Sequence, residues 1–181
     1  LAVEKQISDE TKNKLDDALA VISDLIGRVR NLSLRLRPSM LDDFGLFPAL
    51  VWLADQFSEK TGLEIEYTFS EMDERRFAPE VETAIFRIAQ EALTNVSRHA
   101  EAKHVIISVD QDLDQLRFQL EDDGCGFDLA EISRQRYIST GISGMQERAR
   151  MAGGMLHLIS NRKSGGTKII AEFVLGETKK H

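Results

Sequence analysis

The apolar positions divide the chain into a helical first part and a mixed second part. Between Leu15 and Leu36, apolar residues recur at intervals of three and four, which predicts one helix with a narrow hydrophobic seam. The seam consists of Leu15, Leu19, Ile22, Ile26, Val29 and Leu36. Pro38 limits this helix to about Leu36 or Arg37. A seam this narrow favours a helix of a bundle, although a helix packed on its own domain is the alternative.

The rest of the chain predicts helices alternating with strands. Helical periodicity covers residues 46–61, 79–99 and 142–153, and Gly62 is a helix stop. Strand patterns cover residues 63–69, 104–110, 116–122, 155–160 and 167–175, and residues 123–141 have the composition of a loop. This order predicts an α+β fold, a two-layer α/β sandwich with helices on one face of a largely antiparallel mixed sheet.

Composition and charge exclude several classes of protein. Among 181 residues, 42% are hydrophobic and 29% are charged, which is typical of a folded domain and argues against disorder. The net charge of −7 argues against a general nucleic-acid or membrane surface, since both attract basic patches. The single cysteine, Cys125, excludes an intramolecular disulfide bond. We expect a cytoplasmic region without membrane contact. Because the chain begins with Leu1 inside a helical pattern, it could be a fragment of a longer parent protein, which could be membrane-anchored.

One predicted helix carries a polar stripe. Glu91, Asn95, Arg98 and His99 lie within an arc of about 100° if the helix is regular. A carboxylate and an amide one turn apart can hold a hydrated Mg²⁺ ion, and Arg98 and His99 could contact phosphate oxygens. The alternative is an ordinary solvent-facing stripe.

Three glycine-rich segments follow this helix. Residues 121–128 (EDDGCGFD) come directly after a strand, where Asp123 could accept a hydrogen bond from an exocyclic amine. Residues 139–149 run from a glycine loop into a helix start, which favours an anion such as phosphate. Residues 164–169 (SGGTKI) open a strand. Each segment alone could be an ordinary turn.

Together, the order and spacing of these motifs resemble the histidine kinases of the gyrase, chaperone, histidine kinase and mismatch-repair (GHKL) ATPase superfamily. EALTNVSRHA resembles the N box, DDGCGF the D-x-G-x-G box, GISGMQERA the second glycine box and GGT the third. The linker LRPSMLDDFGLFPAL resembles that of the nitrate-sensor-like and desaturase-sensor-like branch of sensor kinases.

The resemblance implies a role for each motif residue, with ATP and Mg²⁺ as cofactors. Asn95 would chelate Mg²⁺, Glu91 would position the metal or polarise a water, and Arg98 and His99 would contact phosphates. Asp123 would read the adenine amino group with help from Thr167. The flexible cradle and lid would be supplied by Gly124, Gly126, Gly141 and Gly144. Ser139 departs from the family, which commonly has glycine there.

The resemblance also implies a domain plan and a function. Residues 1–37 would end the dimerisation and phosphotransfer region, 38–62 would be the linker and first helix of the catalytic domain, and 63–181 would be the ATP-binding domain. The chain would be the catalytic core of a sensor histidine kinase, with a response regulator as partner and a homodimer formed through the helical region. The acceptor motif on the upstream phosphoacceptor helix is absent, so we expect nucleotide binding without self-labelling.

Three alternatives remain at this point. One is a conformational ATPase module of the gyrase or chaperone kind, in which Glu91 activates water, and another is an anti-sigma-type serine kinase. A pseudokinase scaffold is the third.

Overall fold

The computed structural model describes residues 39–69, 75–112, 114–128, 136–162 and 165–175. The predicted seam helix and the proposed dimerisation region lie outside these residues. From Met40 onward, the described residues belong to one compact unit. No helix among the described residues is both long and apolar enough to cross a lipid bilayer.

In the described part of the chain, four α-helices and one π-helical turn form the helical layer. They are α1 (Ser39–Phe44), α2 (Leu46–Thr61), α3 (Pro79–Asn95), the π-helical turn (Val96–Ala100) and α4 (Arg136–Met151). Pro79 begins α3, where the missing N–H of proline costs nothing. Gly62 ends α2 in a left-handed conformation, and its N–H donates to the carbonyl oxygen of Ser58, as expected for a glycine stop.

Five strands form one mixed sheet in the order β1-β2-β3-β5-β4. They are β1 (Glu64–Phe69), β2 (His104–Asp112), β3 (Gln115–Asp122), β4 (Gly154–Ser160) and β5 (Thr167–Val174). Strand β1 pairs with β2 in parallel, and the other three pairings are antiparallel. The predicted α+β fold with a largely antiparallel mixed sheet is therefore confirmed.

The core lies between the helices and one face of the sheet. Alternate residues of the central strands are fully buried, for example Ile107 and Val109 on β2 and Phe118 and Leu120 on β3. Their partners from the helical layer include Ile85, Phe86, Ile88 and Leu93 on α3. Among the described residues, the helices cover one face of the sheet, and its strands alternate between buried apolar and more exposed side chains.

Helix α4 begins earlier than the sequence predicts. It starts at Arg136, whereas residues 123–141 were expected to form a loop. The hydrophobic pattern missed this start because residues 136–141 have no continuous apolar stripe of their own. The linker segment after Pro38 contains the short helix α1.

Candidate functional site

A cavity of about 620 Å³ opens between the helical layer and the ends of three strands. Its polar lining comes from Asn95, His99, Asp122, Asp128, Arg162 and Thr167. Its apolar lining comes from Ala92, Val96, Ala100, Phe127, Ile142, Met145, Leu158 and Ile169, and Cys125 and Gly126 complete it. A mostly apolar pocket with a few convergent polar groups is the usual form of a small-molecule site.

Asp122 and Thr167 lie together at the buried end of this cavity. They are cross-strand partners at the paired ends of β3 and β5, and both are at most 9% exposed. Oδ1 of Asp122 accepts a hydrogen bond of 2.9 Å from the N–H of Gly124. Burial raises the pKa of the Asp122 carboxyl group, and hydrogen bonds from the backbone of Gly124 and Thr167 partly oppose this rise.

Asp123, which the sequence analysis predicted to contact the adenine amine, lies outside the cavity lining. Its carboxylate accepts hydrogen bonds from the N–H groups of Lys103 and His104, and Oδ2 lies 2.7 Å from Nδ1 of His104. These contacts hold the pKa of Asp123 well below its usual range. The reason is strand alternation: Leu120 and Asp122 point to the core face, so Asp123 must point away. Of the two neighbouring aspartates, it is Asp122 that lines the cavity.

The glycine-rich turns pack against each other around this end of the cavity. A Cβ atom at Gly124 would lie 2.4 Å from the carbonyl oxygen of Ala100, which itself accepts the N–H of Cys125 at 2.7 Å. Gly126 has a φ of 59°, and its Cβ would lie 2.8 Å from the carbonyl oxygen of Gly166. The N–H of Gly166 donates to the oxygen of Gly124 at 2.6 Å. Side chains are excluded from these positions because backbone meets backbone there.

Ser160, which the sequence analysis did not single out, joins the same turns. Its Oγ accepts the N–H of Phe127 at 2.9 Å and lies 3.1 Å from the carbonyl oxygen of Gly166. It also lies 3.0 Å from Oγ1 of Thr167. Ser160 therefore connects the segment after β3, the end of β4 and the start of β5.

The predicted polar stripe is only partly brought to the cavity. Asn95 and His99 line it, whereas Glu91 and Arg98 do not, and Arg98 is exposed. The regular helix expected over residues 79–99 ends at Asn95, and the wider π-helical turn follows. That turn shifts the angular positions of its residues relative to a regular helix. It therefore separates Arg98 from the stripe on which it was predicted to lie.

Glu91 instead faces the first part of α4. A Cβ atom at Gly141 would lie 2.6 Å from Oε1 of Glu91 and 3.8 Å from Nδ2 of Asn95. Both side chains therefore approach the same small region beside the cavity. Gly141 lies within α4 rather than at the end of the expected loop, and Gly144 lies in the same helix, as predicted. The atoms nearest to a Cβ at Gly144 belong to the guanidinium group of Arg148, the first at 3.1 Å.

Of the residues predicted for the site, four line the cavity: Asn95, His99, Gly126 and Thr167. Gly124, Glu91 and Gly141 lie in the packing around it, as described above. The lining residues Ile142, Met145, Leu158 and Ile169 were predicted only as parts of helices and strands. Nothing in a single sequence distinguishes a core side chain from one that also borders a cavity.

Comparison with known proteins gives the same picture of the domain. Residues 80–177 match the family described as "Histidine kinase-, DNA gyrase B-, and HSP90-like ATPase". The signal transduction histidine-protein kinase/phosphatase DegS of Brevibacillus brevis is 35% identical over 90% of this chain and 41% of its own length. The sensor histidine kinase MctS of Rhizobium johnstonii is 35% identical over 88% of this chain and 34% of its own length. The chain therefore spans less than half of either relative.

Two solved structures share the fold. The blue-light-activated histidine kinase of Erythrobacter litoralis superposes with a TM-score of 0.63 at 19% identity, over 88% of this chain and 51% of that one. The histidine kinase AdeS of Acinetobacter baumannii superposes with a TM-score of 0.56 at 14% identity, over 95% and 87%. The motifs, the cavity and the family match agree, and the chain belongs to the histidine kinase-, DNA gyrase B- and HSP90-like ATPase family, whose domain binds ATP.

Proposed function

We propose that this chain is the ATP-binding catalytic core of a sensor histidine kinase, which transfers the γ-phosphoryl group of ATP to a histidine. The group would then pass to an aspartate of a response regulator. Support comes from the names of both relatives, which are histidine kinases. The observation that carries the proposal is the buried pair Asp122 and Thr167 at one end of a cavity whose other polar groups include Asn95 and His99.

Adenine would occupy the end of the cavity formed by Asp122 and Thr167. An ionised carboxylate is an acceptor only, so Asp122 suits the exocyclic amine of adenine, a hydrogen-bond donor. The apolar lining, including Met145 and Ile169, would cover the faces of the base. Phosphates would extend towards Asn95 and His99, on the side of the cavity formed by α3 and the π-helical turn.

Glu91 and Asn95 fit the ligand set of a magnesium ion. Both approach the space beside Gly141, and Mg²⁺ is commonly held by one or two protein oxygens together with water and phosphate oxygens. When bound, Mg²⁺ would neutralise charge on the β- and γ-phosphates.

The protein's contribution to catalysis would be positioning and charge neutralisation. Phosphoryl transfer needs the attacking and leaving atoms in line, and little covalent chemistry by the enzyme. The acceptor would be a histidine on the phosphoacceptor helix of the parent protein, because none of the four histidines of this chain lies in an acceptor motif. Since ATP is a cytoplasmic substrate, the domain would lie in the cytoplasm, and the proposed dimer would form through the helical region.

Comparing two neighbouring carboxylates tests the assignment of the base site. Asp122→Asn should weaken ATP binding by at least about tenfold, because an amide N–H₂ would oppose the adenine amine. Asp123→Asn, one residue away and outside the cavity, should change it little. Isothermal titration calorimetry with ATP and Mg²⁺ measures both. Unchanged binding by Asp122→Asn, or a large loss only in Asp123→Asn, would overturn the assignment.

A second experiment tests the reaction. The full-length parent protein, incubated with γ-labelled ATP, should acquire an acid-labile phosphohistidine, and Asn95→Ala should abolish the label. Release of inorganic phosphate without any phosphohistidine would instead support the conformational ATPase alternative.

A further inference from the structure

The Ser160 hydroxyl group has three polar neighbours at the buried end of the cavity. The N–H of Phe127 donates to Ser160 Oγ at 2.9 Å. The carbonyl oxygen of Gly166 lies 3.1 Å away, and the hydroxyl oxygen of Thr167 lies 3.0 Å away. Ser160 itself is half-buried at the last position of β4, where it pairs with Thr167.

Counting protons assigns a direction to each of these hydrogen bonds. A hydroxyl group has one proton to donate and two lone pairs to accept with. The carbonyl oxygen of Gly166 can only accept, so this contact uses the single proton of Ser160. The Phe127 contact uses one lone pair. The remaining contact, with Thr167, must then be donated by Thr167 to the second lone pair of Ser160.

This direction decides what Thr167 presents to the cavity. Once its proton points at Ser160, the Thr167 oxygen has only lone pairs left for a ligand. Asp122, its cross-strand partner, is likewise an acceptor when ionised. This end of the cavity therefore presents acceptors from two strands to a bound base.

We infer that Ser160 is a positioning residue that fixes the Thr167 hydroxyl as an acceptor and thereby favours a purine with a 6-amino group over one with a 6-oxo group. The inference rests on the proposed nucleotide site and adds to it the residue that sets base preference. A 6-oxo group would place a third acceptor against the two acceptors of Asp122 and Thr167. If the Thr167 hydroxyl were free, it could rotate and donate a hydrogen bond to this 6-oxo group. A Ser160 hydroxyl that fills all of its hydrogen bonds prevents that rotation.

Titration with two nucleotides tests this role. Inosine triphosphate carries a 6-oxo group in place of the 6-amino group of ATP, and its N1 bears a proton. The wild-type protein should bind ATP more tightly than inosine triphosphate, and Ser160→Ala should reduce the ratio of the two dissociation constants by about tenfold. Ser160→Thr, which restores a hydroxyl and suits a strand, should recover the ratio. Ser108→Ala removes a half-buried serine from β2, away from the cavity, and should leave the ratio unchanged.

The outcomes separate this inference from the proposed function. Equal weakening of both nucleotides by Ser160→Ala, with the ratio preserved, would mean that Ser160 is only structural and would overturn the inference alone. Absence of ATP binding by the wild-type protein would overturn the proposed function and this inference with it. Should Ser160→Ala fail to fold, Ser160→Cys keeps the size of the side chain with weaker hydrogen bonding and gives the same comparison.

Discussion

Glu91 on α3 and Gly141 on α4 face each other so closely that a Cβ atom at Gly141 would lie 2.6 Å from Oε1 of Glu91. The atom in the way is the end of a flexible side chain, so an added methyl group would displace the carboxylate rather than disrupt the core. Displacement would move Glu91 away from the region it shares with Asn95.

We predict that Gly141→Ala weakens ATP binding in the presence of Mg²⁺ by roughly tenfold, with a much smaller effect in its absence. The melting temperature should change little, since alanine favours a helix. Calorimetric titrations with Mg²⁺ and with a chelator measure the difference, and Gln146→Ala, exposed on the same helix, is the control. Equal losses under both conditions would remove Glu91 from the proposed metal site.

A second prediction concerns the buried carboxylate of Glu82, whose side chain is only 3% exposed. It accepts a hydrogen bond from Nε of Arg76 at 3.1 Å and another from the N–H of Phe77 at 3.0 Å. Nη2 of Arg76 also donates a hydrogen bond to the carbonyl oxygen of Leu41 at 2.7 Å. Glu82→Ala should lower the melting temperature by roughly 5 °C, because it removes acceptors from both partners. Adding Arg76→Ala should cost less than the sum of the single changes, since the two residues share one network.

The matched control is a second Arg–Glu pair, Arg150 and Glu147. It has similar distances of 2.7 and 3.0 Å but is exposed on both sides. Exposed pairs contribute little, so Glu147→Ala should scarcely change the melting temperature. Thermal unfolding followed by circular dichroism measures all variants. Similar effects at Glu82 and Glu147 would show that the burial of the Glu82 carboxylate is unimportant.

The third prediction is a raised pKa for His104. The hydrogen bond from its ring to Asp123 is the main cause, and the negative charges of Asp123, Glu64 and Glu66 add to it. Because the pKa of His104 is raised above the ordinary 6.5, the contact between His104 and Asp123 contributes its full stabilisation at a pH below 6.5. The stabilisation is lost as the pH rises through the raised pKa. Titration by NMR should therefore give His104 a pKa above 6.5, and Asp123→Asn should lower it.

Glu64 provides a graded comparison for this titration. Its carboxylate lies 3.3 Å from Nε2 of His104, but its side chain is 78% exposed. Glu64→Gln should therefore lower the pKa of His104 less than Asp123→Asn does. A larger effect from Glu64→Gln would mean that Glu64 on β1, and not Asp123 in the loop after β3, is the main cause of the raised pKa of His104.

The fourth prediction concerns residues outside the described part of the chain. The apolar seam that includes Ile22 and Val29 should mediate self-association, since each buried aliphatic side chain contributes roughly 1.5 to 3 kcal/mol before the cost of association. Replacing both residues by aspartate should give a monomer that still binds ATP. Sedimentation velocity and titration provide the two measurements. A monomeric wild-type protein at high concentration would argue for the alternative, in which the helix packs on its own domain.

Much of the fold could be predicted from the sequence because its signals are periodic. The alternation of apolar and polar residues on β2, β3 and β5, and the apolar stripe of α3, can be recognised from neighbouring residues in the sequence alone. The start of α4 at Arg136 was missed because Ser139 and Gly141 in that stretch favour loops locally.

The proposed base site contains one residue that the sequence could have indicated and one that it could not. Two aspartates stand side by side, and the alternation of Leu116, Phe118 and Leu120 in the sequence already places Asp122, rather than Asp123, on the core face. By contrast, no pattern could have identified Ser160, because its partners come from segments that only the folded sheet brings together.

In the proposed base site, the pairing of Asp122 with Thr167 across β3 and β5 would also couple ligand binding to folding. In the sequence, α4 and β4 separate these two strands, so a base-recognition site cannot form until this distant pairing is complete. A nucleotide that binds only the assembled sheet stabilises it by mass action, by about 2.7 kcal/mol at a concentration one hundred times the dissociation constant. In a cell rich in ATP, the substrate would therefore also act as a folding ligand, and the survival of newly made chains would depend on the energy supply.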